Sequence, residues 1–154
     1  MRPVASGRPA LSLKGRALRL LSQREHSRPE LERKLASPEV DADELARALD
    51  ELQAKGFISE ARVVESVVHR RAAKLGTARV KQELQAKGLS SEAMGEALEQ
   101  LRGTELERAR EVWRKKFGEA ASDAAERAKH MRFLATRGFS PEAIRQVVRG
   151  TDDD

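Results

Sequence analysis

The 154-residue sequence contains no cysteine and no tyrosine, one tryptophan and only 3% aromatic residues. Without cysteine there can be no disulfide, no thiolate metal site and no thiol nucleophile, a composition that suits a reducing compartment and leads to an expected cytoplasmic location. No window approaches the roughly 18 uncharged apolar residues that a membrane span requires, and the N-terminus lacks the apolar core of a signal peptide. Residues 1–24 hold Arg2, Arg8, Lys14, Arg16, Arg19 and Arg24 with no acid. That pattern also occurs in organelle transit peptides, but a short arm followed by a basic first helix is the reading adopted here.

Catalytic signatures are absent as well. His26, His69 and His130 form no i, i+4 pair and no H-E-x-x-H arrangement, so no metal or other cofactor is expected. The glycines at 56, 76, 88 and 138 stand singly at expected helix ends and do not build a phosphate loop. No serine sits in a nucleophile elbow, and the carboxylates are too evenly spread to nominate a pair. The residues point to a binding protein, not an enzyme.

The chain is rich in helix formers. Alanine (23) and leucine (17) outnumber valine plus isoleucine (12), a mix that favours helices over sheets. Residues 1–11 carry two prolines, a glycine and no periodicity, so a loose arm is expected there. From Ser12, Leu13, Ala17, Leu20 and Leu21 fall on one helical face. Ser27 with Glu30 makes a capping box ahead of Leu31 and Leu35, and Ser37 and Pro38 stop that helix. Asp41 or Asp43 caps a third helix carrying Leu45, Leu49 and Leu52, which Gly56 closes.

The plan then recurs. A helix is expected from about Glu60 to Leu75, then one capped by Thr77 and ended by Gly88, then one opened by Ser91 with Met94 or Ala97, Leu98 and Leu101 inward. A last set follows over 104–117, 123–137 and 141–149, with Pro141 at the first helical position. KGLS at 87–90 and RGFS at 137–140 align at a fifty-residue period. The expected fold is therefore all-α, with three tandem three-helix repeats over 12–59, 60–103 and 104–149 and an acidic tail over 150–154. Such units gain stability by stacking, which leads to an elongated or crescent array.

The net charge of +5 is unevenly placed. Segments alternate in sign: +6 over 1–36, −5 over 37–60, +5 over 61–90, −4 over 91–107 and +6 over 108–149. A helix-turn-helix transcription regulator would put its last helix against phosphates, yet the third helices of the first two repeats are acidic. The binding candidates lie on the basic helices instead: Arg70, Arg71, Lys74, Arg79, Lys81 and Lys87 in the second repeat, and Arg110, Arg114, Lys115, Lys116, Lys129, Arg132 and Arg137 in the third. Trp113 shares a helical stripe with Leu106, Ala109 and Phe117, which places it in the core, and Phe133 and Leu134 read the same way.

GFISEARVVESVVHRR at 56–71, GTARVKQELQAKGLS at 76–90 and RFLATRGFSPEAIRQVV at 132–148 resemble the RecX family of regulatory proteins in content and order. Gly56, Phe57, Ile58 and Arg62 match its first motif, where Ser59 and Glu60 replace two aspartates and Val63 and Val64 replace an aromatic and an alanine. Gly76, Val80, Glu83, Leu84, Lys87 and Gly88 match the second motif; Phe133, Leu134, Arg137, Gly138, Phe139 and Ile144 match the third. The resemblance implies a cytoplasmic protein of three tandem three-helix repeats that lodges in the groove of the RecA recombinase filament on single-stranded DNA and restrains ATP hydrolysis and strand exchange; a monomer is expected. The alternative from charge alone is a helical protein that binds nucleic acid directly.

Overall fold

The computed structural model describes residues 11–150, and among them every regular element is helical. The expected arm, apart from Leu11, and the expected acidic tail, apart from Gly150, lie outside the described residues. Eight helices follow one another: α1 Leu13–Gln23, α2 Arg28–Leu35, α3 Ala42–Ala54, α4 Glu60–Arg71, α5 Thr77–Ala86, α6 Ser91–Lys116, α7 Ala124–Thr136 and α8 Pro141–Gly150. No helix among these residues is long and apolar enough to cross a membrane. They divide into two compact units, one ending at Ser59 and the other beginning at Glu60.

The first unit is a three-helix repeat set by its caps. Ser12 accepts the Gly15 amide, Asp41 caps α3, and Ser27 forms a reciprocal capping box with Glu30. The stripes these caps register bring Ala17, Leu31, Leu35, Leu45, Leu49, Leu52 and Ile58 into one core. Arg28 ties α2 to α3 through Asp50 at 2.6 Å, the Gln53 side chain at 2.9 Å and the Ala46 carbonyl at 3.3 Å. Its Asp50 contact, and with it Glu32, raises the Arg28 pKa further.

His26 is also buried here, 1% exposed. Its Nδ1 lies 3.0 Å from the Arg24 carbonyl and its Nε2 lies 3.1 Å from Lys34 Nζ. An ammonium can only donate, so Nε2 is the acceptor and Nδ1 carries the proton, which makes the ring neutral. Burial, joined by the charges of Arg24 and Lys34, holds the imidazole pKa below its ordinary value. Protonation therefore favours the unfolded chain. The contribution is complete above the unfolded value of about 6.5 and is lost as pH falls toward the lower folded value. Opening of α1–α3, read from amide exchange corrected for its intrinsic pH dependence, should accelerate between about pH 7.5 and 5.5. The His26→Gln variant should show a flat profile over that range, and equal acceleration in both would contradict this account of His26.

The second unit contains five helices in place of the six expected from sequence. The third helix of the second repeat and the first helix of the third are one continuous helix, α6, 26 residues long. Gly103 does not break it, because Leu98, Leu101, Ala109 and Trp113 keep one inward face through that point. A mid-helix glycine costs only about 1 kcal/mol, which packing along 26 residues exceeds. One half of α6 closes a core with Val63, Val67, Val80 and Leu84, and the other closes a core with Leu134, Phe139, Ile144 and Val147.

The turn before α5 is where the two repeats meet. α4 ends at Arg71, short of the expected Leu75, and Ala72–Leu75 form a turn. Arg108 on α6 gathers that turn: its guanidinium donates to the carbonyls of Ala72 (2.9 Å), Leu75 (2.6 Å) and Leu101 (2.8 Å) and to the hydroxyls of Thr77 (3.0 Å) and Thr104 (3.0 Å). Burial pulls the Arg108 pKa down from its ordinary value. Thr77 is not the cap expected from sequence. The cap position is Gly76, which has no side chain, and the Thr77 amide is satisfied from outside the helix by Glu105 Oε1 at 3.1 Å. A carboxylate at a helix N-terminus is favourable for the same reason as a local cap.

Candidate functional site

The Gly76 amide donates to the Arg137 carbonyl at 2.8 Å, so the turn opening α5 lies directly against the turn between α7 and α8. Gly138 has φ +90°, and a Cβ there would lie 2.1 Å from Arg79 Cγ; a Cβ on Gly76 would lie 2.2 Å from the Gly138 carbonyl oxygen. This contact sets Arg79 of α5 against the end of α7, where Arg79 Nη1 donates to the Thr136 carbonyl at 2.7 Å.

Above this junction opens a cleft of about 600 Å³. Arg79 comes from α5, Lys116 from the last turn of α6, Lys129 and Arg132 from α7, and Arg137 from the cap of α7; Leu75, Phe117, Phe133 and Thr136 complete the lining. Among the described residues no carboxylate lines it. None of the five cations has an acidic partner within ion-pair distance among the described residues. A concave wall of one sign concentrates field lines and raises the local concentration of anions.

The wall is held by aromatic contacts. Phe133 carries Lys116 Nζ 5.5 Å and Arg137 Cζ 4.9 Å from its ring centre, and such contacts position cations over an aromatic face. Phe117 meets Phe133 edge-on at 5.4 Å and stacks on His130 at 3.8 Å. Trp113 Nε1 in turn donates to His130 Nδ1 at 3.1 Å. Trp113 and Leu134 are core residues, as the sequence pattern indicates. Phe133 is half-buried and faces the cleft, because its position on α7 lies at the edge of the inward stripe.

Of the thirteen basic candidates, the structure brings Arg79, Lys116, Lys129, Arg132 and Arg137 together. Arg71 lies along an adjoining recess with Leu75, Arg79, Gln82 and Glu83, but Glu83 pairs with it at 3.2 Å. Arg70 stands on the exposed end of α4 and Lys74 in the turn after it, while Lys81 on α5 and Lys87 at its C-cap lie outside the cleft lining. Arg110, Arg114 and Lys115 are exposed on α6 away from the lining; Glu111 takes Arg114 at 2.6 Å and lies 3.9 Å from Lys115. Sequence reasoning missed Arg108 and Glu105, which hold the junction. The available signal is their spacing from Leu101, which places both on the inward side of α6.

Three family profiles match in order: the RecX first three-helix domain over residues 14–52, the second over 59–98 and the third over 104–148. The chain is 57% identical to a regulatory protein RecX from Leptothrix cholodnii, over 98% of this chain and 96% of that one. It is 48% identical to one from Ralstonia nicotianae, over 97% and 94%. In fold, it is similar to the crystal structure of RecX from Lactobacillus salivarius, with a TM-score of 0.76 at 23% identity over 92% of this chain and 96% of that one. A second crystal structure of regulatory protein RecX gives a TM-score of 0.72 at 20% identity, over 92% and 72%. With three successive domains matched and relatives aligned along almost its whole length, the chain belongs to the RecX family of regulatory proteins.

Proposed function

We propose that this protein restrains the RecA recombinase: working as a monomer in the cytoplasm, it binds along the groove of the RecA filament on single-stranded DNA and limits ATP hydrolysis and strand exchange. Family membership supports a regulatory role, and the observation that carries the contact surface is the convergence on one cleft of five cations with no acid within ion-pair distance among the described residues. Charge of one sign in a concave site favours association with a highly anionic polymer such as a nucleoprotein filament, mainly through orientation and association rate.

The other basic candidates contribute less on this reading. Arg71 pairs with Glu83 and Arg114 with Glu111, which Lys115 also approaches at 3.9 Å, so these acids offset part of the charge that the three cations present. A helix-turn-helix transcription regulator is disfavoured by α3, whose first turn carries the acids Asp43 and Glu44. Phosphates would repel that helix.

The test is direct. The purified protein is titrated into RecA with single-stranded DNA and ATP, with no other factor present. The expected result is a fall in hydrolysis at amounts below one protein per RecA subunit. Unchanged hydrolysis at large excess overturns the reading.

A further inference from the structure

The cleft is more than a charged surface, because its lining is part apolar and part cationic. Leu75, Phe117 and Phe133 line it together with the five cations, where the second and third repeats meet. Three of those cations are already positioned: Lys116 and Arg137 by the Phe133 ring, Arg79 by the Thr136 carbonyl. Cations held in this way lose little side-chain entropy when they meet an anion. The volume of about 600 Å³ lies within the range of small-ligand sites, which is roughly 300 to 1,000 Å³.

An acidic protein segment fits this arrangement poorly. It would have to place several carboxylates, each on its own stem, into one recess while also covering an aromatic surface. A nucleotide supplies both features in one rigid group: phosphate oxygens for Arg and Lys donors, and a flat base or sugar for the apolar lining.

We propose that the cleft between α5, the end of α6 and α7 is a nucleotide-binding seat, with phosphates held by Arg79, Lys129 and Arg132 and the base or sugar against the apolar lining that Leu75, Phe117 and Phe133 provide beside Lys116 and Arg137. The proposal deepens the filament reading, on which it rests for the cleft being the contact surface, and it names what the cleft contacts. The same chemistry is offered by a free nucleoside triphosphate and by one unit of a single strand.

The molecule carries its own reporter. Trp113 is the only tryptophan, and it reaches the cleft through His130 and Phe117. Its fluorescence is to be titrated, in the absence of RecA, with four probes: inorganic tripolyphosphate, ATP, oligothymidylate and polyglutamate. ATP and oligothymidylate are expected to change the Trp113 signal and to bind more tightly than polyglutamate of equal charge. The tighter of the two identifies the source, and tripolyphosphate should fall below ATP by the contribution of the base. Lys129→Gln with Arg132→Gln should weaken nucleotide binding by about tenfold or more and lower the log–log salt slope for oligothymidylate by about 1.4. Arg114→Gln with Lys115→Gln should leave both near the unsubstituted values.

Polyglutamate binding as tightly as the nucleotides, a double cleft variant that binds like the unsubstituted protein, or no binding of either nucleotide would each overturn the proposal. The two readings fail separately. Nucleotide binding with unaltered RecA hydrolysis removes the filament role and leaves the seat, whereas inhibition of RecA with no nucleotide binding removes the seat.

Discussion

Replacing Gly138 with alanine should cost about 2 to 5 kcal/mol, summing the penalty of a left-handed backbone and of overpacking, and Gly76→Ala should be comparably severe. At Gly138 the backbone has φ +90°, and the added methyl would meet both the side chain and the backbone nitrogen of Arg79, the latter at 2.9 Å. At Gly76 the obstacle is entirely backbone: the Gly138 carbonyl at 2.2–2.3 Å and the Phe139 nitrogen at 2.4 Å. Neither can rotate away as a side chain would. Relief requires the two turns to part, which breaks the Gly76 to Arg137 hydrogen bond and withdraws Arg79 from Thr136. The melting temperature of the second unit should fall by roughly 10 °C or more. Gly95→Ala and Gly103→Ala serve as controls, since a Cβ at either position meets nothing within 4 Å. They should be neutral or stabilising by up to about 1 kcal/mol. Equal effects at all four positions would mean that the turn-to-turn approach does not matter.

Arg108→Ala is the second large effect, expected at about 3 kcal/mol. The guanidinium holds three carbonyls and two hydroxyls at once, and hydrogen bonds from a charged donor contribute about 1.5 to 3 kcal/mol each before water replaces some of them. Removing the side chain leaves the end of α4 and the start of α5 without their common partner. Arg108→Lys should recover less than half of the loss, because an ammonium cannot span both sides of the turn as a planar fork does. Glu105→Ala, which removes only the carboxylate at the Thr77 amide, should cost about 1 kcal/mol. Denaturant melts followed by helical circular dichroism measure all three. Near-equal stability of Arg108→Ala and the unsubstituted protein would show that solvent satisfies the turn equally well.

Much of this fold is legible in the sequence because its signals are local. Ser12, Ser27 with Glu30, Asp41 and Asp123 all cap the helices they precede, and Leu31, Leu35, Leu45, Leu49 and Leu52 are buried as their spacing indicates, while Leu13, Leu20 and Leu21 are partly buried against the same core. What is not legible depends on distance along the chain. Arg79 and Thr136 are 57 positions apart, and Arg108 and Ala72 are 36 apart. No spacing rule relates them. Gly76 looks like a punctuation mark between helices and proves to be a site of backbone contact. The fusion that forms α6 was obscured by Gly103, whose local propensity favours a break while the apolar register on both sides runs straight through.

The cleft follows the same division. Sequence places the basic residues on their helices but treats them as two strips, one for each repeat. The turn-to-turn junction takes one cation from the second repeat and sets it among four from the third, while neighbours such as Arg114 are absorbed by an acid one turn earlier on their own helix. Which of these cations lack an acid within ion-pair distance among the described residues is a tertiary property that no spacing rule gives.

The central claim is that this cleft is the surface through which the protein acts on a recombinase filament. The measurement that bears on it most directly is inhibition of RecA hydrolysis on single-stranded DNA by two charge-matched variants, Lys129→Glu with Arg132→Glu and Arg114→Glu with Lys115→Glu, both checked for unchanged helicity. The first pair should lose inhibition by at least about tenfold in the concentration required, and the second should stay within about twofold of the unsubstituted protein. Equal inhibition by both pairs, or stronger impairment in the outer pair, would contradict the claim.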